Sequence, residues 1–222
     1  MHLFVGLGNP GGKYSKNRHN AGYMAVEAIA ENNGFGPWKR KFKGVVSEGR
    51  LGNGKVMLLK PETYMNDSGQ SAGEAARYYK LSNENVVVFH DEIDLAPGKL
   101  RIKRGGGHAG HNGLRSLDAH IGANYMRIRI GVGRPGEKKL VRQYVLKDFS
   151  NADHEWLDDL LLGISNGAGN LVEGREDRFR NAISSGRVLQ PKPATGKGGN
   201  TAGETGSEEN LNAIQKLIRK YL

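Results

Sequence analysis

Three short apolar runs, LFVGL (3–7), KVMLLKP (55–61) and NVVVFHDEI (85–93), punctuate the first half of the chain, and segments with helical spacing separate them. Runs this short and this continuous suit strands buried on both faces, as in a parallel sheet covered by helices. AGYMAVEAIAENN (21–33) places Ala21, Met24, Ala28 and Ile29 at helical spacing, and SAGEAARYYKL (71–81) and HNGLRSLDAHIG (111–122) also read as helices. Alternation of strand and helix predicts an α/β fold, a single domain with a central, mixed, mostly parallel sheet flanked by helices. The mixed character comes from KLRIKR (99–104) and YMRIRIGVG (125–133), whose apolar and charged residues alternate as in half-exposed antiparallel strands.

Two more helices are predicted, over EKKLVRQYVLKDF (137–149) and over NADHEWLDDLLLGISNGAGNLVEG (151–174), the second capped by Ser150. The domain should close near Ser185, which makes 1–186 the globular unit. Residues 187–210 are rich in Gly, Pro, Ser, Thr and charge, with little to bury, and read as a flexible linker. In 211–222, Leu211, Ile214, Leu217, Ile218 and Leu222 form the stripe of an amphipathic helix.

Charge narrows the partners. With 33 Lys and Arg against 23 Asp and Glu, the formal charge is +10, a balance that attracts polyanions and points to nucleic acid or a phosphorylated partner. Cysteine is absent, which excludes disulfides, thiolate nucleophiles and cysteine-ligated zinc together. No run reaches the ~18 apolar residues of a membrane span, and no leader pattern opens the chain, so a soluble cytoplasmic protein is expected, without a membrane partner.

The segment FVGLGNPGGKYSKNRHNAGY (4–23) admits two readings. Gly6, Gly8 and Gly11 fit the dinucleotide fingerprint, but the helix starts only near Asn20, and Glu27 and Glu31 fall inside it rather than at the end of the next strand. The other reading makes His19 the chemical centre. KPETYMNDSG (60–69) sets Tyr64, Met65 and Asn66 at a strand's C-terminal end, where open α/β sheets bind ligands, although Asn-Asp-Ser-Gly also makes an ordinary turn. In VFHDEIDLAPGKLRIKRGGGHAGHNG (88–113), Asp91 follows a strand, and five glycines surround His108, His111 and Asn112. Such a loop lets a backbone approach a phosphate or ribose.

His90, Asp91, His108 and His111 are a conceivable metal set, but no HExxH or three-ligand arrangement is legible, and no metal or cofactor is expected. A serine elbow is also missing. What remains is a histidine able to take a proton near neutral pH, a carboxylate able to orient it, and water as nucleophile. His2, His120 and His154 read as ordinary surface or satisfied histidines.

VGLGNPGGKYSKNRHNAG, KPETYMNDSG, HDEIDLAPG and GGGHAGHNGL, in this order, resemble the bacterial peptidyl-tRNA hydrolases from about Leu3 to Ser185. The resemblance implies a monomeric, metal-independent esterase that frees the peptide from the terminal ribose of tRNA, so tRNA is the expected partner. It implies His19 as the base, Asp91 as the carboxylate that holds it, and Asn9 as the residue that separates N-blocked from free aminoacyl substrates. Tyr14, Tyr64, Asn66 and Asn112 match substrate or tRNA contacts, Met65 and His111 line the cleft, and Lys103 with Arg129 clamps a tRNA phosphate. Asn17 and Arg134 depart from the family pattern, away from the expected chemistry. The alternatives are a non-catalytic module that binds a tRNA 3′ end and a metal-dependent phosphohydrolase.

Overall fold

The computed structural model describes residues 1–186, so the segments read as linker (187–210) and terminal helix (211–222) lie outside the described residues. Its strands are β1 (His2–Gly6), β2 (Lys39–Lys41), β3 (Gly44–Leu51), β4 (Gly54–Pro61), β5 (Val86–Glu92), β6 (Leu100–Arg104) and β7 (Met126–Gly131). Its helices are α1 (Ala21–Asn32), α2 (Ser68–Tyr78), α3 (Asn112–Ile121), α4 (Val141–Val145), α5 (Asn151–Val172) and α6 (Glu176–Gly186). The sheet order is β2-β3-β4-β1-β5-β7-β6, with β4, β1, β5 and β7 parallel to one another, β3 and β6 antiparallel to them, and β2 antiparallel to β3.

Successive side chains on a strand point to opposite faces, and the sheet divides the core accordingly. Phe4, Leu58, Val87, Phe89 and Ile128 meet α1, α5 and α6 on one face. Leu3, Val5, Met57, Leu59, Val86 and Val88 meet α2 and α3 on the other. Two glycines set the spacing at the strand ends. A Cβ on Gly22, at the start of α1, would lie 2.2 Å from the Phe89 carbonyl oxygen and 2.5 Å from the Leu7 nitrogen. One on Gly6 would lie 2.3 Å from the Gly22 carbonyl oxygen, so the β1–α1 junction closes only because both positions lack a side chain.

Several expectations need correction. β7 is buried rather than half-exposed, because Met126, Ile128 and Ile130 join the core cluster on one face, and its arginines survive on the other by being paired. Arg127 donates to the Gly106 and Gly107 carbonyls at 2.7 and 2.9 Å and to Asp118 at 3.1 Å. The helix expected over 137–149 shrinks to a 3-10 turn (Lys138–Leu140) and α4. Its last residues are held extended: Arg18 N–H donates to the Lys147 carbonyl, Phe149 N–H to Lys16, and the Arg18 side chain to the Asp148 carbonyl. The sequence reading passed over β2, β3 and α6. Ser150 does cap α5, in a reciprocal box with Asp153.

Candidate active site

The parallel strands β1, β4 and β5 end together, and a cleft of about 680 Å³ opens beyond them. It is lined by Asn9, Tyr14, His19, Tyr64, Met65, Asn66, Asp91, His111 and Asn112, nine of the eleven residues singled out in the sequence. Four separate parts of the chain therefore converge on one place.

Residues 7–20 leave β1 and fold into two 3-10 turns, with His19 on the second. The loop is fastened at both ends. Asn20 grips Asn9 reciprocally: its Oδ1 accepts from the Asn9 backbone N–H at 2.9 Å, and its Nδ2 donates to the Asn9 carbonyl at 3.0 Å. Farther along, Asn17 Nδ2 donates to Asp148 Oδ1 at 2.6 Å, and Arg18 bridges to Asp153 at 2.7 Å. Asn17, one of the two departures from the family pattern, is thus a buried tie between loops.

Asn9 is held so that only half of its amide is free for a ligand. Its Oδ1 accepts the Met65 backbone N–H at 2.9 Å, which orients the amide and leaves Nδ2 as the donor on the cleft side.

Asp91, next to last in β5 and only 2% exposed, lies between two imidazoles. His19 Nδ1 lies 2.9 and 3.0 Å from its two oxygens, and His111 Nε2 lies 3.0 Å from Oδ1. The backbone fixes the tautomer of His111: its Nδ1 caps α3 by accepting the Leu114 N–H at 3.3 Å, so its proton sits on Nε2 and is donated to Asp91. A carboxylate can only accept, so neutral His19 likewise donates from Nδ1. Its Nε2 then carries the lone pair.

The electrostatics follow from this packing. Burial by itself raises the Asp91 carboxyl, but the two imidazoles and their hydrogen bonds outweigh it and hold the group well below the usual carboxylate range. For His19 the balance is reversed: burial lowers its pKa, and the charge and hydrogen bond of Asp91 carry it above the ordinary histidine value. His90, considered as a ligand from sequence, points elsewhere. It is fully buried, hydrogen-bonded through Nδ1 to the Asp91 carbonyl at 2.7 Å, and pushed down to about 3 by burial first and by His111 second. His108 accepts from Gly110 N–H at 3.1 Å. The histidines that do converge with Asp91 are His19 and His111.

Lys103 and Arg129 lie off the cleft, on β6 and β7. Lys103 stands opposite Arg127, and Arg101 opposite Arg129, so all four share one sheet face. Arg129 Nε donates to Glu92 at 2.9 Å, and Glu92 lines the cleft, which links this basic face to the site. The glycine loop 105–107 has a structural duty that sequence did not reveal, since its carbonyls receive buried Arg127. Sequence reasoning also missed Arg134, Lys138, Lys139 and Arg142, which line the cleft from the 134–146 segment. The basic string RPGEKKLVR was the available signal, and Arg134 is the second departure from the family pattern.

Residues 3–190 match the family model for peptidyl-tRNA hydrolase, and the chain belongs to that family. It is 63% identical over 193 residues to a peptidyl-tRNA hydrolase of Cereibacter sphaeroides strain KD131, covering 87% of this chain and 85% of that one. A peptidyl-tRNA hydrolase of Dinoroseobacter shibae is 53% identical over 235 aligned residues that span all of both chains. The crystal structure of peptidyl-tRNA hydrolase from Acinetobacter baumannii superposes with a TM-score of 0.77 at 40% identity, over 82% of this chain and 94% of that one.

Proposed function

We propose that His19 is the general base, and Asp91 the carboxylate that orients it, in the hydrolysis of the ester between a peptide and the 3′-terminal ribose of tRNA. As a member of its family the chain is a hydrolase of peptidyl-tRNA. One observation carries the assignment of roles: Asp91 accepts from His19 Nδ1 and from His111 Nε2, which leaves His19 Nε2 as a lone pair in a cleft where the ester can lie.

On this reading His19 Nε2 takes a proton from water as the oxygen attacks the ester carbonyl, and the imidazolium gains the full charge of Asp91. Collapse of the tetrahedral intermediate breaks the bond to the ribose oxygen, which takes the proton back from His19. A free peptide and an intact tRNA leave. Asn9 Nδ2 donates to the carbonyl of the substrate's first peptide bond. A free aminoacyl ester has no such carbonyl and presents an ammonium to a donor. Tyr14, Tyr64, Asn66 and Asn112 contact the tRNA or the substrate, and Lys103 and Arg129 engage a tRNA phosphate. Among the described residues no helix is long and apolar enough to cross a membrane.

His19→Ala tests the assignment on N-acetyl-aminoacyl-tRNA. The rate should fall by about 10² to 10⁴, the typical contribution of a general base, with tRNA binding little changed. A variant within about threefold of wild type would remove His19 from that role.

A further inference from the structure

The three groups that form the catalytic relay also have the composition of a metal site. His19, Asp91 and His111 each offer one ligand atom, and these atoms lie within 4.8 Å of one another. Two of the spacings are already 2.9 and 3.0 Å. A tetrahedral ion with ligands at ~2.0–2.1 Å needs ligand atoms about 3.3 Å apart, so a small opening of these contacts and closure of the two imidazoles would seat one. Two imidazoles and a carboxylate suit zinc and cobalt, and three protein ligands leave a fourth position for water. The cleft supplies the entry path, since the side chains of His19 and His111 are 13% and 12% exposed and both line it.

We propose that this triad binds a borderline-soft divalent cation such as zinc, and that the bound ion switches hydrolysis off. Chemistry of the rings dictates the sign. Zinc on His19 Nδ1 takes the lone pair of that nitrogen, so the ring's single N–H must sit on Nε2. Nε2 is the atom that accepts the proton from water, and a protonated Nε2 cannot. At His111 the proton moves in the same way from Nε2 to Nδ1, where it displaces the Leu114 N–H from its 3.3 Å contact. No proton is lost in either shift. Asp91 exchanges two accepted hydrogen bonds for one metal bond. Binding does not depend on the assignment of His19 as base, whereas inhibition rests on it.

Cobalt separates the two statements, because its visible spectrum reports coordination without any turnover. The full chain, freed of metal with chelator, should take up one equivalent of Co²⁺ with the absorption bands of a tetrahedral nitrogen and oxygen site, and zinc should abolish them. His111→Ala and His19→Ala should each weaken this binding by about 100-fold or more, beyond the 10–100-fold typical of losing a mere supporting partner. Circular dichroism shows whether each variant remains folded, and the wild-type spectrum stands without them. In wild type, zinc at ten times its dissociation constant should leave about a tenth of the N-acetyl-aminoacyl-tRNA hydrolysis by mass action, restored by chelator. Absence of a tetrahedral cobalt spectrum in wild type, or its persistence in both variants, overturns the site. A cobalt site that leaves activity unchanged or raises it overturns the inhibition and removes Nε2 of His19 from the reaction.

Discussion

Replacing Asp91 by Asn changes one atom and one charge, and the neighbours dictate how the new amide must sit. Oδ1 receives two N–H groups, from His19 at 2.9 Å and from His111 at 3.0 Å, whereas Oδ2 meets only His19 at 3.0 Å. An amide nitrogen at the Oδ1 position would face two donors, so the amide oxygen takes that place and the NH₂ takes the other. His111, fixed by its cap on α3, therefore keeps His19 in its productive tautomer even in the variant. What is lost is stabilisation of the imidazolium. The difference between a charge-assisted and a neutral hydrogen bond is about 1–2 kcal/mol, and the attraction of unit charges ~4 Å apart at an effective dielectric of ~20 is about 4 kcal/mol. Between these bounds, kcat should fall by about 10-fold to 1,000-fold. The acid limb should move too. A base must be neutral, so on the proposed role wild-type activity should rise as pH climbs through the His19 pKa, which lies above the ordinary ~6.5 because Asp91 outweighs burial. Without the carboxylate, burial prevails and the limb shifts to lower pH. Single-turnover hydrolysis of N-acetyl-aminoacyl-tRNA from about pH 5 to 8 reads both quantities. Adding His111→Ala releases the amide, and the double variant should lose more than the product of the single losses. A limb that stays in place, or strictly multiplicative losses, would refute this account of the relay.

Asn9→Ala removes the donor proposed to read the peptide carbonyl, so the preference for N-acetyl-aminoacyl-tRNA over its unacetylated counterpart, compared as ratios of kcat/KM, should narrow by roughly 5-fold to 150-fold. An unmoved ratio places the discrimination elsewhere. Lys103→Ala with Arg129→Ala should weaken tRNA binding and lower the slope of log K against log salt by up to about two ions, with Arg129 contributing the smaller share because Glu92 already holds it. A full slope in the double variant rules out the phosphate clamp. Gly22→Ala should destabilise the fold by about 3 kcal/mol, the upper end for overpacking, because backbone atoms of Phe89 and Leu7 lie 2.2 and 2.5 Å from the new carbon. Urea unfolding measures this, and a loss under about 0.5 kcal/mol would mean that the junction gives way easily.

Central strands were legible because burial on both faces leaves a continuous apolar signature, as in Val86–Phe89 and Val56–Leu59. β3 escaped for the opposite reason. Its eight residues, GVVSEGRL, include two glycines, a serine, a glutamate and an arginine, and it is a strand because β4 pairs with it along its whole length. β7 looked half-exposed because Arg127 and Arg129 alternate with Met126, Ile128 and Ile130. Alternation records which residues are charged, not whether each charge has found a partner, and here the glycine-loop carbonyls and Glu92 supply them. The helix expected over 137–149 had adequate local pattern but lost its last turn to hydrogen bonds from residues 16–18, a long-range competition that no local window contains.

The candidate site was more legible than its frame, and the reason is chemical. Asn9 and His19 lie in the glycine-containing loop after β1, Asn112 opens α3 after another glycine-rich loop, and Asp91 stands near the C-terminal end of β5, where open sheets of this kind bind ligands. Their mutual geometry depends on residues whose types signal nothing. Asn20 clasps Asn9 from eleven positions away, and the Met65 backbone N–H decides which half of the Asn9 amide faces the substrate. The glycines of VGLGNPGG raised the dinucleotide reading, yet Gly6 and Gly8 face α1, where a Cβ on Gly8 would sit 2.6 Å from the Tyr23 ring. They let the first helix approach β1 closely. That approach matters for catalysis because Gly22 touches both Leu7, before Asn9, and Phe89, two residues before Asp91, while His19 sits three residues before Gly22. One close backbone contact thus sets the positions of the proposed base, its carboxylate and the Asn9 amide together.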